Sequence, residues 1–248
     1  MAEYFHGAYG KVSAEGNRAA DESQGAIVYV GTAPVHTVEG GANNVNKPIL
    51  VRNIAEARKF FGYSDDWASY TLCEAMHVHF EIKGVGPLVF INVLDPATHK
   101  SSTKTTASKT PANGAIVLTD AEDVILDTIV VKTQDSTPVE KVKGTDYSVA
   151  YNIERKTITI QELTSGALGT DALTVEYYEI SVSAVTDTTV IGATDGMGLN
   201  TGLYAIKDVY QLTGKVPSFL LAPGFSSHPA VHTAMAGVSQ KINGHWDA

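Results

Sequence analysis

Short apolar runs alternate with helix-like repeats over residues 25–98, a pattern typical of an α/β layer. Residues 26–30 and 48–51 are short, partly β-branched apolar runs, and both are predicted as buried strands. The segment "PLVFINVLD" at 87–95 is apolar nearly throughout, as a strand covered on both faces must be. The predicted order of elements is therefore strand, strand, helix, helix, strand.

Two helices are predicted between the second and third of these strands. In the first helix, Asn53 is placed to cap the start, Glu56 gives a variant of the capping box, and Gly62 ends it. The second starts near residues 64–66 and runs to about residue 80, because apolar residues recur every four positions: Ala68, Leu72, Met76 and Phe80.

The composition changes at Thr98. The stretch "THKSSTKTTASKTPANGA" is rich in Ser, Thr and Lys and is predicted as a linker. Beyond it the helical period disappears, and short strands are predicted at 127–132, 147–151, 157–161 and 173–181. These strands predict a small antiparallel β-sandwich, inserted between α/β parts over residues 99–186.

The α/β pattern returns at about Thr186. Thr201 is placed to cap a helix, and "VPSFLLAPG" at 216–224 is predicted as a buried strand that leads into a loop. The last helix is predicted to have His228 as its cap and Pro229 at its first position, with an apolar face formed by Val231, Met235, Val238 and Ile242. A parallel sheet needs more strands than this one, so either residues 26–95 complete the sheet or the chain is a fragment.

Composition narrows the function classes. The 248 residues suggest about two domains, and 44% hydrophobic with 18% charged residues is a globular composition. A net charge of −9 without a basic run argues against nucleic acid as a partner. The single cysteine, Cys73, excludes an internal disulfide framework and fits a reducing compartment. Without an apolar leader or a span of about 20 apolar residues, the sequence predicts a soluble cytosolic protein with no membrane anchor.

Two candidate ligand sites lack the pattern that their chemistry needs. The Gly-rich "GATDGMGLNTG" at 192–202 lacks the GxGxxG spacing and the lysine of a phosphate-binding loop, so a loop that leads into a helix is favoured. His77 and His79 point about 200° apart on a helix and do not chelate one ion there, although on a strand they would.

A candidate nucleophile region follows the strand predicted at 216–224. It holds Ser226, Ser227, His228 and His232, but the GxSxG nucleophile elbow is absent. His228 is better explained as a helix cap, and Cys73 as a buried structural thiol. The sequence therefore predicts no enzyme activity, no cofactor and no metal.

Residues 1–24 show no sustained period and hold three glycines among Tyr4, Phe5 and Tyr9. We predict an extended arm that docks on a partner, the alternative being a mobile chain end.

Taken in order, these segments resemble the tail sheath proteins of contractile phage tails and of phage-tail-like bacteriocins. The resemblance rests on several moderately specific segments: "YFHGAYGKV", a strand ending in "GTAP", "PILVRNIAEARKFFG", "PLVFINVLD", the inserted sandwich and "LLAPG" before a long helix. It covers nearly all 248 residues, and no single motif is diagnostic.

The resemblance implies a fold and a set of partners. The fold is a non-catalytic α/β sheath domain, compared with a subtilisin-like layer, at residues 25–98 and 187–248, interrupted by the sandwich. Subunits stack as rings around the tail tube protein, above a baseplate. They come from a phage or prophage and assemble in the bacterial cytoplasm into the virion tail sheath. Contraction of a metastable sheath drives the tube through the target cell envelope.

The resemblance also implies a role for the arm. Terminal arms of sheath proteins add strands to the sheets of neighbouring subunits through main-chain hydrogen bonds. In this chain the corresponding residues are Tyr4, Phe5, Gly7, Tyr9, Gly10 and Val12.

The chain departs from the family in one respect, because sheath proteins continue past the last predicted helix with the rest of the sheet and a second arm.

Two other interpretations stay open. A hydrolase or nucleotide-binding enzyme fragment would show a deep pocket lined by Ser226, His228 and an acid. A carbohydrate-binding module built on the sandwich would show a shallow aromatic face, for which Tyr177 and Tyr178 are the adjacent pair.

Overall fold

A computed structural model of the chain describes residues 25–248. It is a mixed α/β protein with one four-stranded sheet and two three-stranded sheets along these residues. None of its helices is both long and apolar enough to cross a membrane.

The four-stranded sheet is built from β1 (Ala26–Gly31), β2 (Ile49–Val51), β3 (Leu88–Asn92) and β10 (Pro217–Leu221). The strand order is β10-β1-β3-β2, so the two parts of the chain that flank the sandwich complete one sheet, as one of the two predicted alternatives requires. Strand β1 runs parallel to both β10 and β3, whereas β2 pairs antiparallel with β3. Because β1 and β3 are the inner strands, the predicted runs at 26–30 and 87–95 are buried as expected.

One face of this sheet is covered by α1 (Ile54–Phe61) and α2 (Thr71–Met76), which continues as a π-helix over His77–Lys83. The bounds predicted for α1 are confirmed: the Asn53 side chain accepts a hydrogen bond from the Glu56 amide, and Gly62 follows the last turn. The start predicted for α2 is wrong. The Thr32 side chain, at the end of β1, accepts a hydrogen bond from the Thr71 amide, and this distant contact fixes the first turn at residue 71.

The opposite face is covered by α3 (Asp187–Ile191), by a 3₁₀ helix at Gly202–Asp208 that leads into α4 (Val209–Thr213), and by α5 (Pro229–Val238). Val28 and Ile91 of the sheet share one buried cluster with Ile206 and Val231 of these helices. The sheet is therefore a middle layer with a core on each side.

The C-terminal helix is shorter than predicted. It ends at Val238 instead of continuing to Ile242. Lys241 and Asn243 adopt positive φ angles of 48° and 52°, which an α-helix does not contain. Ile242 is still buried, at 2% exposure, because the turn folds it back onto the core that α5 covers.

The two smaller sheets form the inserted module. One is β4 (Thr105–Lys109), β9 (Leu173–Tyr177) and β6 (Val130–Thr133), in that order; the other is β5 (Ala115–Leu118), β8 (Thr157–Glu162) and β7 (Tyr147–Asn152). All four pairings are antiparallel, and side chains from both sheets share a core that includes Val131, Val175, Ile158 and Ile160. The predicted antiparallel β-sandwich is confirmed. That residues 99–186 form an independent folding unit stays a prediction.

Two details of the predicted module are wrong. The stretch predicted as a linker contains β4 and the start of β5, and the strand predicted at 173–181 ends at Tyr177. Strand β4 has no apolar pattern in its sequence, and none of its side chains is buried. It is held by main-chain hydrogen bonds to β9.

The sandwich packs onto the helix-covered face that α1 and α2 form. Ile125 and Ile180 from the inserted segment enter the same buried cluster as Tyr70 and Leu72. The two connections run side by side: the Ser101 amide donates to the Glu179 carbonyl, and the Ser181 amide donates to the His99 carbonyl, each at 2.8 Å.

Candidate functional site

The residues predicted to form an intersubunit arm lie outside the described part of the chain. These are Tyr4, Phe5, Gly7, Tyr9, Gly10 and Val12. Their role stays a prediction.

The strand predicted as buried at 216–224 is instead the edge strand β10. Phe219 is 63% exposed and Leu221 is 38% exposed. They pair in register with Ile27 and Tyr29, which α1 and α2 cover, but those helices do not extend over β10. The prediction failed because burial of a strand depends on its neighbours, and β10 has a neighbour on one side only among the described residues.

This edge has Pro217 at its first position but carries no charged side chain. The segment "VPSFLLAPGFSS" at 216–227 carries no charged residue in a chain of net charge −9. Natural proteins commonly place charges, bulges or a covering element on a free strand edge, because its main-chain groups are able to pair with another strand. The β10 edge is thus a candidate surface for adding a strand.

The candidate nucleophile region brings together a histidine and an acid. His228 occupies the predicted cap position before Pro229, but its side chain does not cap the helix. Its Nδ1 lies 2.6 Å from Oδ1 of Asp187, and both side chains are more than 40% exposed. Neither Ser226 nor Ser227 contacts the imidazole in a hydrogen bond, so the pair lacks the nucleophile of a triad.

The other candidate ligands are engaged in contacts within the subunit. His77 Nδ1 lies 2.6 Å from Glu81 Oε2, while His79 Nε2 lies 2.7 Å from the Tyr29 hydroxyl. Cys73 is fully buried, as predicted, and burial raises the pKa of its thiol to about 12. Among residues 25–248, no group of three or more His, Cys, Asp or Glu side chains is placed to hold a metal ion.

Tyr177 and Tyr178 do not form a shared aromatic face. Tyr177 packs against the sandwich core, and Tyr178 packs against the core beneath α1 and α2. The Nζ of Lys100 lies 4.7 Å from the centre of the Tyr178 ring. The two rings therefore serve different cores, which removes the observation that would favour a sugar-binding module.

The Gly-rich stretch at 192–202 forms a projecting loop before the 3₁₀ helix, as predicted. Asp195 fixes its turn: one carboxylate oxygen, Oδ1, accepts hydrogen bonds from the amides of Met197 and Leu199, each at 2.8 Å. An antiparallel bridge between Thr194 and Asn200 closes its base. The loop amides are thereby committed to the loop itself.

Along residues 25–248 the structure combines a layered α/β core with an uncovered strand edge, a surface through which proteins pair by adding a strand. The chain is similar to the tail sheath protein of Burkholderia phage BcepMu, with 26% identity over 245 residues, or 97% of the chain. The predicted resemblance to tail sheath proteins is thereby confirmed. The chain spans 47% of that relative's length. No protein-family model and no solved structure matches the chain.

Proposed function

We propose that the chain is a structural subunit of a phage tail sheath. It polymerises with other copies around a tail tube, and contraction of the assembled sheath drives the tube through the target cell envelope. The observation that carries this proposal is the similarity to a tail sheath protein along nearly the whole chain.

Two structural features support an assembling role. The α/β layer buries a core on each side of its sheet. We expect a subunit that moves as one body to be packed in this way. At the same time β10 leaves an uncharged edge with Phe219 exposed. A strand from another copy would pair there through main-chain groups, with little demand on side-chain identity.

Several finer parts of the proposal rest on the family resemblance. These are the linking role of residues 4–12, the contacts with the tube and baseplate, assembly in the host cytoplasm and the subtilisin-like character of the layer. Since the chain matches about half of its relative, the contraction cycle belongs to the proposal for the whole protein.

Immunogold electron microscopy tests this function directly. Antibodies raised against the purified chain should decorate the outer tail surface of particles from a lysate of the source bacterium, along the whole tail. A second antibody, raised against the isolated sandwich at 99–186, should give the same pattern. Labelling confined to heads, fibres or non-particulate material would contradict the sheath assignment.

A further inference from the structure

A cavity of about 360 Å³, here called the seam cavity, lies between the α/β layer and the sandwich. Three parts of the chain line it: positions from 64 to 70 before α2, residues 122–123 of the sandwich, and residues 180–183 in the connection back to the layer. Its volume is within the range of small-molecule binding sites.

The charged residues that line the seam cavity are all acids: Asp66, Glu122 and Asp123. Lys156 forms an ion pair with Glu122 and so compensates one of them. Among residues 25–248, the Asp66 carboxylate accepts one hydrogen bond, at 3.3 Å from the Ser69 amide, and the Asp123 carboxylate has no hydrogen bond or ion pair. Asp66 and Asp123 are thus left without a cation in contact.

The acids also act on one another. Partial burial, followed by the charges of Glu122, Glu179 and Asp66, raises the pKa of Asp123. Like charges held close together favour a bound cation, because the cation removes the repulsion between them. Both Asp66 and Asp123 are partly exposed to solvent, so a ligand is able to reach them.

A buried hydroxyl at the same cavity lacks a partner. Tyr70 lines the seam cavity and is 5% exposed, and its hydroxyl has no hydrogen-bond partner among the described residues. Burial, followed by the charges of Asp123 and Asp66, raises the pKa of Tyr70, so the phenol stays neutral within the field of these two acids. A buried polar atom without a partner costs free energy, and a ligand that reaches it gains a hydrogen bond.

Aliphatic ammonium groups match this set of acceptors. Each ammonium carries three N–H donors and no acceptor, whereas the carboxylates of Asp66 and Asp123 and the hydroxyl oxygen of Tyr70 all accept. A metal ion matches less well, because no three acidic or histidine side chains of residues 25–248 are placed around one ion. A diamine carries two separated charges, which suits two carboxylates that do not share one ion.

We propose that the seam cavity binds a small aliphatic polyamine, whose ammonium groups are held by the carboxylates of Asp66 and Asp123 and by the Tyr70 hydroxyl. Asp66 belongs to the α/β layer and Asp123 to the sandwich, so the bound polyamine bridges the two and stabilises their contact. The site rests on the seam cavity alone and does not depend on the sheath role.

Isothermal titration calorimetry of the 248-residue chain with putrescine, at fixed ionic strength, tests the site. We expect saturable binding, and Asp66→Asn, Asp123→Asn and Tyr70→Phe should each weaken it about tenfold. Asp135→Asn is the matched control, because it makes the same charge change at an exposed residue that does not line the cavity. This control should bind putrescine like the wild type.

Two further titrants distinguish a polyamine from other cations. Mg²⁺ has the charge of putrescine without its ammonium groups, and butylamine has one ammonium group, so both should bind at least about tenfold more weakly. Butylamine that binds as tightly as putrescine would indicate a site for one ammonium group, such as the lysine side chain of a partner, and would overturn the proposal.

Three other results would also overturn it: no saturable binding, equal binding of Mg²⁺, or unchanged binding in both Asp66→Asn and Asp123→Asn. These two residues are partly exposed, so we expect both variants to fold even if Tyr70→Phe does not. Their melting temperatures without ligand provide the check.

Discussion

The Nε2 of His36 lies 2.8 Å from the backbone carbonyl oxygen of Glu122, and this hydrogen bond joins the α/β layer to the sandwich. Since a carbonyl only accepts, the imidazole donates through Nε2. His36 is 2% exposed, and its Nδ1 has no partner among the described residues. The imidazole is therefore held in its neutral form at the junction.

This junction predicts a pH dependence of stability. Burial lowers the pKa of His36 to about 4, below its unfolded value of about 6.5. The unfolded chain binds the proton first as pH falls, so the contribution is complete above about pH 6.5 and is lost progressively towards pH 4. The linked loss is about 3 kcal/mol of unfolding free energy. Urea titrations between pH 7 and 4 should show this slope, and it should flatten in His36→Gln. An equal slope in both proteins would exclude His36 as its source.

Two glycines end helices with positive φ but differ in ψ, which is −172° at Gly62 and 31° at Gly84, and in what a side chain would meet. A Cβ at Gly62 (φ 72°) would lie 2.6 Å from the Pro34 carbonyl oxygen, whereas a Cβ at Gly84 (φ 62°) would meet nothing within 4 Å. Gly84→Ala should cost about 1 kcal/mol from backbone strain alone. Gly62→Ala should cost about 2 kcal/mol or more, because the backbone of Gly62 lies in a region nearly restricted to glycine and the steric overlap adds to that strain. Chemical denaturation measures both, and equal losses would mean that the loop at Pro34 yields freely.

The His228–Asp187 pair should not support hydrolysis. Its imidazole has an acid on one side but no serine hydrogen-bonded on the other. We expect p-nitrophenyl ester turnover by the chain to equal that of a Ser226→Ala/Ser227→Ala/His228→Ala variant. Turnover that disappears only in the variant would restore the enzyme interpretation.

The sandwich should fold without the rest of the chain. Fourteen buried residues form its core, drawn from the inserted segment alone. Expressed as residues 99–186, it should melt cooperatively, with some loss of stability because Ile125 and Ile180 are uncovered from the other core. A featureless thermal melt, followed by circular dichroism, would count against the predicted boundary.

The predicted arm is tested by deletion. If the arm pairs with a neighbouring subunit, as the resemblance implies, removing residues 1–20 should leave the monomer's melting temperature nearly unchanged. In the complete protein the same deletion should abolish or loosen polymerised sheath, measured by sedimentation. A melt lowered by many degrees would place the arm in the subunit's own core instead.

The sequence predicted most reliably those elements whose signals lie within the element itself. Asn53 and Gly62 bound α1 because each acts within one turn of the helix, and the apolar run at Leu88–Asn92 marks a strand that is buried on both sides. The start of α2 escaped prediction because its cap, Thr32, is 39 residues away. No glycine marks the end of α5, where Lys241 takes the left-handed conformation.

The candidate surfaces were harder to predict than the fold. The run at 216–224 is as apolar as an inner strand, and only the strand order shows that Phe219 lies at an edge. The Gly-rich loop was interpretable as a loop, but the exposure of Met197 depends on Asp195 holding its turn. The subtilisin-like character of the layer stays a prediction.

The two connections to the sandwich are paired side by side at Lys100 and Ile180, which form an antiparallel bridge. Backbones paired in this way stand about 5 Å apart. A different domain whose two ends lie at that spacing could therefore be inserted in place of residues 101–179 without changing the strand order β10-β1-β3-β2. A replacement domain would also have to supply the contacts that Glu122 and Ile125 make with the α/β layer.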